Sequence, residues 1–203
     1  MRYTPEHAEA TRARVLHACG RQFREHGFGG IGIEGLSREA AVTSGAFYNH
    51  FGSKAGAFRA AVVAGVEHMR RGVEQFRGAC GGGWLAAFAE VYLGSAHRRD
   101  VAGGCALPSL SAEVARSDSN TRAAYQAELL KVASLIADGL PGNPGREAAW
   151  PILALLVGGV TLSRAVPDEA LAQEIADAVL NGVRTTEPPT GGELRSDGLA
   201  SAP

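Results

Sequence analysis

Residues 33–54 read IEGLSREAAVTSGAFYNHFGSK, and the placing of the small side chains in this stretch decides the fold. Ala40, Ala41, Gly45 and Ala46 let two short helices cross closely and steeply, while Leu36, Val42, Phe47 and Phe51 fill the little core between them. That is the spacing of a helix-turn-helix, whose second helix enters the DNA major groove. A groove about 12 Å wide admits one helix, provided that nothing bulky stands at its leading end. Thr43, Ser44 and Gly45 meet that requirement. The pattern predicts a helix over about 33–41, a brief one from Thr43 or Ser44 through Asn49, and a third capped by Ser53. This third helix runs from Lys54 through Phe58, Val62, Val66 and Met69 towards Phe76.

The candidate DNA contacts follow from that arrangement. Thr43, Ser44, Gly45 and Ala46 form the narrow front, and Ser44 can hydrogen-bond a base edge or phosphate. Tyr48 stands one turn later on the same face, and Asn49 and His50 add donors beside the backbone. Lys54 brings charge and a first-turn amide for phosphate. Plainer roles compete: a helical hairpin with polar surface residues, a solvated Lys54, and a His50 that only caps the turn at Phe51. Phe47 and Phe51 read as core. Arg2, Arg12 and Arg14 could reach the DNA backbone or minor groove, or stay solvated as charges near a terminus usually do.

Upstream, Thr4-Pro5-Glu6 is a helix start, with a hydroxyl, a first-turn proline and an acid at the positive dipole end. Val15, Leu16, Cys19 and Phe23 follow as one buried stripe, and Gly27 ends the helix before Phe28 packs back. Downstream, Gly78 to Trp84 (GACGGGW) is too glycine-rich to be helical. Beyond it the pattern predicts helices at about 84–98, 105–116, 119–139, 146–165 and 168–185. Asn143-Pro144 reads as a cap and first-turn pair for the fourth of these. The expected fold is therefore all-α. A DNA-binding domain over 1–53 leads to a helical domain over 54–186, joined by the helix at 54–77. Residues 187–203, poor in large apolar side chains, read as a disordered tail.

Composition agrees. The chain has 203 residues, 45% of them hydrophobic, with a formal net charge of -1. The first 75 residues carry 10 Lys and Arg against 7 Asp and Glu, and the rest is acidic, so any polyanion would meet the front of the chain. No apolar run approaches the roughly 18 residues of a membrane span, no signal-peptide core is visible, and a cytoplasmic place with no membrane partner is expected. Three scattered cysteines, Cys19, Cys80 and Cys105, form neither a disulfide framework nor a zinc motif.

The segment AFYNHFGSK, preceded by AAVTSG and by RVLHACGRQFREHGFGGIGIEGLS, and followed by AFRAAV, closely resembles the DNA-binding domain of TetR/AcrR-type transcriptional regulators over residues 10–63. The resemblance implies a homodimer on a palindromic double-stranded operator, released by a small hydrophobic or aromatic effector, with no cofactor or metal and no enzymatic activity. In that family the last two helices make the dimer interface, and LALLVGGVTLSRAVPDEALAQEI resembles them. Three departures stand out. Ala41 occupies a turn position where the family often has glycine, which is tolerable if its backbone is not left-handed. Ala55 and Gly56 replace an acidic residue, and Ile31 to Ile33 lack a hydroxyl, so Gly32 and Ile33 lose a familiar cap and phosphate contact.

The resemblance also directs attention to the second domain. Met69, Trp84, Phe88, Tyr92, Tyr125, Leu129 and Trp150 offer surface for an organic ligand, and would serve equally as core. Cys105, at a helix start after two glycines, is either a buried structural thiol or a sensor of oxidants or electrophiles. Leu153, Leu156, Val157 and Val160, with Leu171, Ile175 and Val179, form stripes for a dimer or for an intramolecular bundle. Gly65 and Gly72 would ease bending of the connecting helix. Two other classes compete with a regulator: a helical enzyme, for which no repeated Glu-x-x-His and no G-x-S-x-G is present, and an adaptor that no longer binds DNA.

Overall fold

A computed structural model describes residues 5–186. Among them are ten α-helices and no strand: α1 (Pro5–Gly30), α2 (Ile33–Glu39), α3 (Ser44–Phe51), α4 (Lys54–Cys80), α5 (Trp84–Leu93), α6 (Ser95–Arg99), α7 (Ala106–Ala115), α8 (Ser119–Ala137), α9 (Ala149–Ala165) and α10 (Glu169–Thr186). Short 3-10 turns, Gly81–Gly83 and Arg146–Ala148, precede α5 and α9. The expectation for residues 187–203, and that for Arg2 and Thr4, lie outside the described residues.

The stripe read in α1 is the core of the first domain: Val15, Cys19 and Phe23 are fully buried, whereas Leu16 is only half-buried and packs against them. Burial pushes the Cys19 thiol up to about 11, so it behaves as a small apolar side chain. At Gly27 (φ 74, ψ 173) α1 kinks rather than ends. The chain swings Phe28 back onto Phe58, 5.1 Å between ring centroids, and onto Phe23 at 6.2 Å. The kink frees the amide of Phe28, which donates to both carboxylate oxygens of Glu113 on α7, at 2.9 and 2.8 Å.

The turn between α2 and α3 corrects one expectation. Ala41 is left-handed, with φ +52. Its amide donates to the carbonyl of Arg38, and that of Val42 to the carbonyl of Ser37. This doubled closure ends a helix at a residue that is usually glycine, and alanine holds the place at a steric cost of about 1 kcal/mol. The caps of the next two helices are as read: the Thr43 hydroxyl accepts from the amide of Ala46 at 3.2 Å, and that of Ser53 from the amide of Gly56 at 3.0 Å. α2 starts at Gly32 with no side-chain cap.

Other boundaries differ for tertiary reasons. α4 continues through Gly78 to Cys80, and the glycine-rich break is confined to Gly81–Gly83. The helix expected over 84–98 is broken at Gly94, whose backbone is extended (φ -62, ψ 152), giving α5 and α6. Asn143 is not a helix cap. It takes a left-handed turn (φ 48), and α9 begins only at Ala149, with Pro151 in the first turn, where the missing amide costs nothing.

Two cores share α4. Its first half gives Phe58, Ala61 and Val62 to the core that holds Val15, Phe23, Leu36 and Phe47. Its second half gives Val66, Met69 and Val73 to the core built on α5, α8, α9 and α10. α7 reaches into the first core as well, through Ala106, Leu110 and Val114. Gly65 lies where α4 crosses α7, and a Cβ there would collide with that of Ala106. Close approach, rather than bending, accounts for this glycine.

Residues 146–165 have the length and mean hydropathy, 1.4, of a membrane span, which the sequence expectation did not foresee. In the fold this helix packs on α5, α7, α8 and α10, and it leaves a second apolar strip outside.

Candidate nucleic-acid interface and the cavity behind it

α3 is held by its two aromatics. Phe47 is fully buried, and Phe51 packs against it at 5.6 Å with the Arg12 guanidinium 5.0 Å above its ring. With that side fixed, Gly45, Tyr48 and Asn49 face outward, and Tyr48 keeps 49% of its surface exposed. Ser44, Ala46 and His50 are half-buried on the flanks. Thr43 is exposed, although its hydroxyl is committed to the cap. Thr43, Ala46, Asn49 and His50 edge a hollow of about 520 Å³ that reaches across to Thr11 and Arg14 of α1. Lys54 is half-buried, its ammonium 4.6 Å over the Phe28 ring. The outer surface of α3 thus has a small residue at its centre, an aromatic hydroxyl, a carboxamide, and cations from α1 at its side.

Behind this domain, the ligand candidates divide. Met69, Phe88, Tyr92 and Cys105 come together around a cavity of about 130 Å³ between α4, α5 and the start of α7. Exposed Val91, half-buried His97, and His68, Gly72, Gly103 and Gly104 complete its lining. The other four do not line it. Trp84 is buried, with its indole donating to the carbonyl of Gly139 at 2.9 Å. The Tyr125 hydroxyl pairs with that of Ser111 at 2.8 Å, Leu129 packs against the core, and Trp150 is 38% exposed.

Residues near the end of the helix expected over 84–98 hold the cavity's wall. Nε2 of His97 accepts the amide of Cys105 at 3.0 Å, so the ring proton sits on Nδ1 and is donated to the carbonyl of Tyr92 at 2.6 Å. Burial lowers the pKa of His97 and keeps this neutral form. Arg164 of α9 spans the same loop, donating to the carbonyls of Arg98 and His97 at 2.9 and 2.8 Å. Arg98 itself is buried and holds α10 through the carbonyl of Ala172 at 2.7 Å. Nothing in local spacing separates such buried arginines from solvated ones; the signal available was the glycine pair before Cys105, which marks a tight loop. Burial raises the pKa of the Cys105 thiol, against a hydrogen bond from Tyr92 that lowers it.

The expected dimer residues also divide. Leu153, Leu156 and Val160 lie within the chain's own core and are not available to a partner. Val157, Ile175 and Val179 are half-buried, and Leu171 is 41% exposed. The outward strip of α9 is shifted by one residue, to Ala154, Leu155, Gly158 and Leu162, of which Leu162 is 58% exposed.

Residues 15–61 match the family model described as bacterial regulatory proteins, tetR family. No curated protein matches the chain. Among solved structures, the fold is similar to a TetR-family transcriptional regulator from Cytophaga hutchinsonii, at TM-score 0.73 and 18% identity over 92% of this chain and 98% of that one. It is similar to the reduced form of NemR from E. coli, at TM-score 0.75 and 20% identity over 89% and 100%. It is also similar to SCO4454, a TetR-family regulator from Streptomyces coelicolor, at TM-score 0.69 and 23% identity over 88% and 94%.

Proposed function

We propose, from the premise that residues 15–61 belong to the tetR family of bacterial regulatory proteins and that the chain has the fold of its regulators, that this protein is a homodimeric, effector-released transcriptional repressor of the cytoplasm. DNA binding itself rests on the family match over residues 15–61. The observation that carries the proposal is the outward surface of α3. Gly45, Tyr48 and Asn49 stand clear of the protein, while Phe47 behind them is fully buried. A helix so presented fits the major groove, with Ser44 and Tyr48 reaching base edges, and His50 and Lys54 placed towards phosphate.

One such helix reads few base pairs, so two copies about one DNA turn apart are required. The outward apolar strips of α9 and α10, centred on Leu162, Leu171 and Ile175, are the proposed two-fold interface. A small hydrophobic or aromatic effector would occupy the cavity at Met69, Phe88, Tyr92 and Cys105. α4, which contributes to both cores, would turn that occupancy into a new separation of the two reading helices. The response is set by how differently the effector binds the two arrangements. The thiol-sensing alternative draws no support from Cys105, whose burial disfavours the reactive thiolate.

Fluorescence anisotropy with DNA from the protein's own upstream region tests the reading. Binding should lie in the nanomolar range and weaken steeply with salt. Ser44→Ala and Tyr48→Ala should weaken specific binding more than non-specific binding. Equal losses would remove both from base reading, and indifference to every upstream duplex would remove the regulator.

A further inference from the structure

The cavity at Tyr92 has a neighbour. His68, Gly103 and Gly104 also line a second hollow of about 280 Å³ between α1 and α4. The far side of this hollow carries His17, Arg24 and Arg71, and no residue lining either space is acidic. The two hollows therefore adjoin at His68, Gly103 and Gly104, one lined by aromatic side chains and the other by basic ones.

The arginines beside these hollows form no ion pair among the described residues, and Asp100 acts on Arg24 and Arg164 only from beyond contact distance. Among the described residues, neither Arg24, Arg71 nor Arg164 has a carboxylate within 4.0 Å. Arg24 gives its Nε–H to the carbonyl of Ala102, and Arg164 spends its donors on carbonyls and on the hydroxyl of Ser109. The acid nearest in this loop, Asp100, accepts the amide of Gly103 at 2.7 Å. The field is felt at the junction: burial first, then the charges of Arg71 and Arg24, lowers the pKa of His68. Inside, the Tyr92 hydroxyl is buried with no oxygen or nitrogen partner, beside the Cys105 thiol. A buried hydroxyl whose one neighbour is a thiol, a weak acceptor, can gain a stronger hydrogen bond from a ligand oxygen or nitrogen.

We propose that the effector is a small amphipathic anion, a single-ring or short-chain organic acid, whose apolar part enters the cavity at Met69, Phe88 and Tyr92 and whose carboxylate rests at Arg71 and Arg24. The size follows from the space: 130 Å³ is close to the roughly 150 Å³ in which an apolar cavity holds one benzene ring. The sign follows from the groove, since its lining holds Arg24 and Arg71 and no acidic residue. This assignment rests on the reading of the protein as an effector-responsive regulator, and it adds the chemistry of the effector.

Isothermal titration of the full-length protein with three probes of one shape decides it: 3-phenylpropanoate, 3-phenylpropan-1-ol and 3-phenylpropylammonium. The acid should bind at least about tenfold tighter than the alcohol, and the ammonium more weakly than either. Raising salt from about 50 to 300 mM should weaken the acid alone. Arg71→Gln, at an exposed position, should bring acid and alcohol to within about twofold of each other, and Arg71→Lys should restore most of the difference. Equal affinities for acid and alcohol, no binding of any probe, or an acid preference untouched by Arg71→Gln would overturn the assignment. DNA binding measured on the same preparation separates the two readings. A protein that binds its operator and ignores charge sinks this inference alone. A protein that selects the acid yet binds no DNA upholds the site and sinks the regulator.

Discussion

Arg24 of α1 donates its Nε–H to the carbonyl of Ala102 at 2.7 Å, across 78 positions of sequence. The bond ties the DNA-binding domain to the loop whose next residues, Gly103 and Gly104, line the cavity at Tyr92. Arg24→Met keeps the stem and removes the donor, leaving a partly buried carbonyl unpaired. It should lower stability by about 1–2 kcal/mol in urea denaturation. An unchanged midpoint and slope would show that the tether holds nothing.

Ala41 pays a steric cost in the turn between α2 and α3 (φ +52). Ala41→Gly should raise stability by about 0.5–1 kcal/mol, the relief outweighing the added freedom of the unfolded chain. Ala41→Val, branched at Cβ, should lower it. A thermal-melt series that ranks valine above glycine would contradict the left-handed assignment.

The two glycines of α4 should respond oppositely. Gly65→Ala drives a methyl into Ala106 and should cost about 1–3 kcal/mol as α4 and α7 are forced apart. At Gly72 the nearest atom to an added Cβ is Cε2 of Phe88, at 3.5 Å, an ordinary contact. Gly72→Ala should be tolerated, gaining up to about 1 kcal/mol of helix propensity. Chemical denaturation of the two variants side by side checks the contrast.

His97 predicts the acid limb of stability. Its unfolded-state pKa is near 6.5, and burial lowers the folded value, so the unfolded chain binds the extra proton first. Stability should be level above about pH 6.5 and fall as pH drops below it, until the folded value is reached. His68, shifted the same way by burial and by Arg71, adds to the slope. Melting temperatures from pH 8 to 5 should show this. His97→Gln, which does not titrate, should flatten part of the fall; an identical slope would clear His97 of the effect.

Leu162→Glu and Leu156→Ala separate the two faces of α9. Leu162 is 58% exposed, so its change should leave the monomer's fold intact and reduce the particle mass seen by light scattering to that of one chain. Leu156 is fully buried, and its truncation should cost about 2–5 kcal/mol without a specific effect on assembly. If Leu162→Glu remained as associated as the parent, the interface would have to lie elsewhere.

The parts legible in the sequence are those that local chemistry determines. Thr43 and Ser53 announce their helices because a cap needs only a hydroxyl three residues before an amide. Val15, Cys19 and Phe23 repeat at the helical period because one side of α1 is dry and the other wet. What was missed is decided at a distance. The kink at Gly27 is completed by Glu113, 85 residues after the Phe28 amide that it accepts. α9 has Leu155, Leu156 and Val157 in succession, apolar on every side, so no periodicity could tell Leu156, which faces the core, from its half-buried neighbours. The cavity takes part of its wall from a loop that reads as nothing in particular, because His97 and Arg164 hold that loop only once folding has brought them together.

Leu110 and Val114 of α7 lie under α1 as lids on the reading head. Without this collar, a head trimmed at the end of its family signature would present an open, greasy seam to water. The two halves are therefore not interchangeable modules. Transplanting the head onto another body means carrying its lids along, and any drift in α7 obliges a matching change in α1.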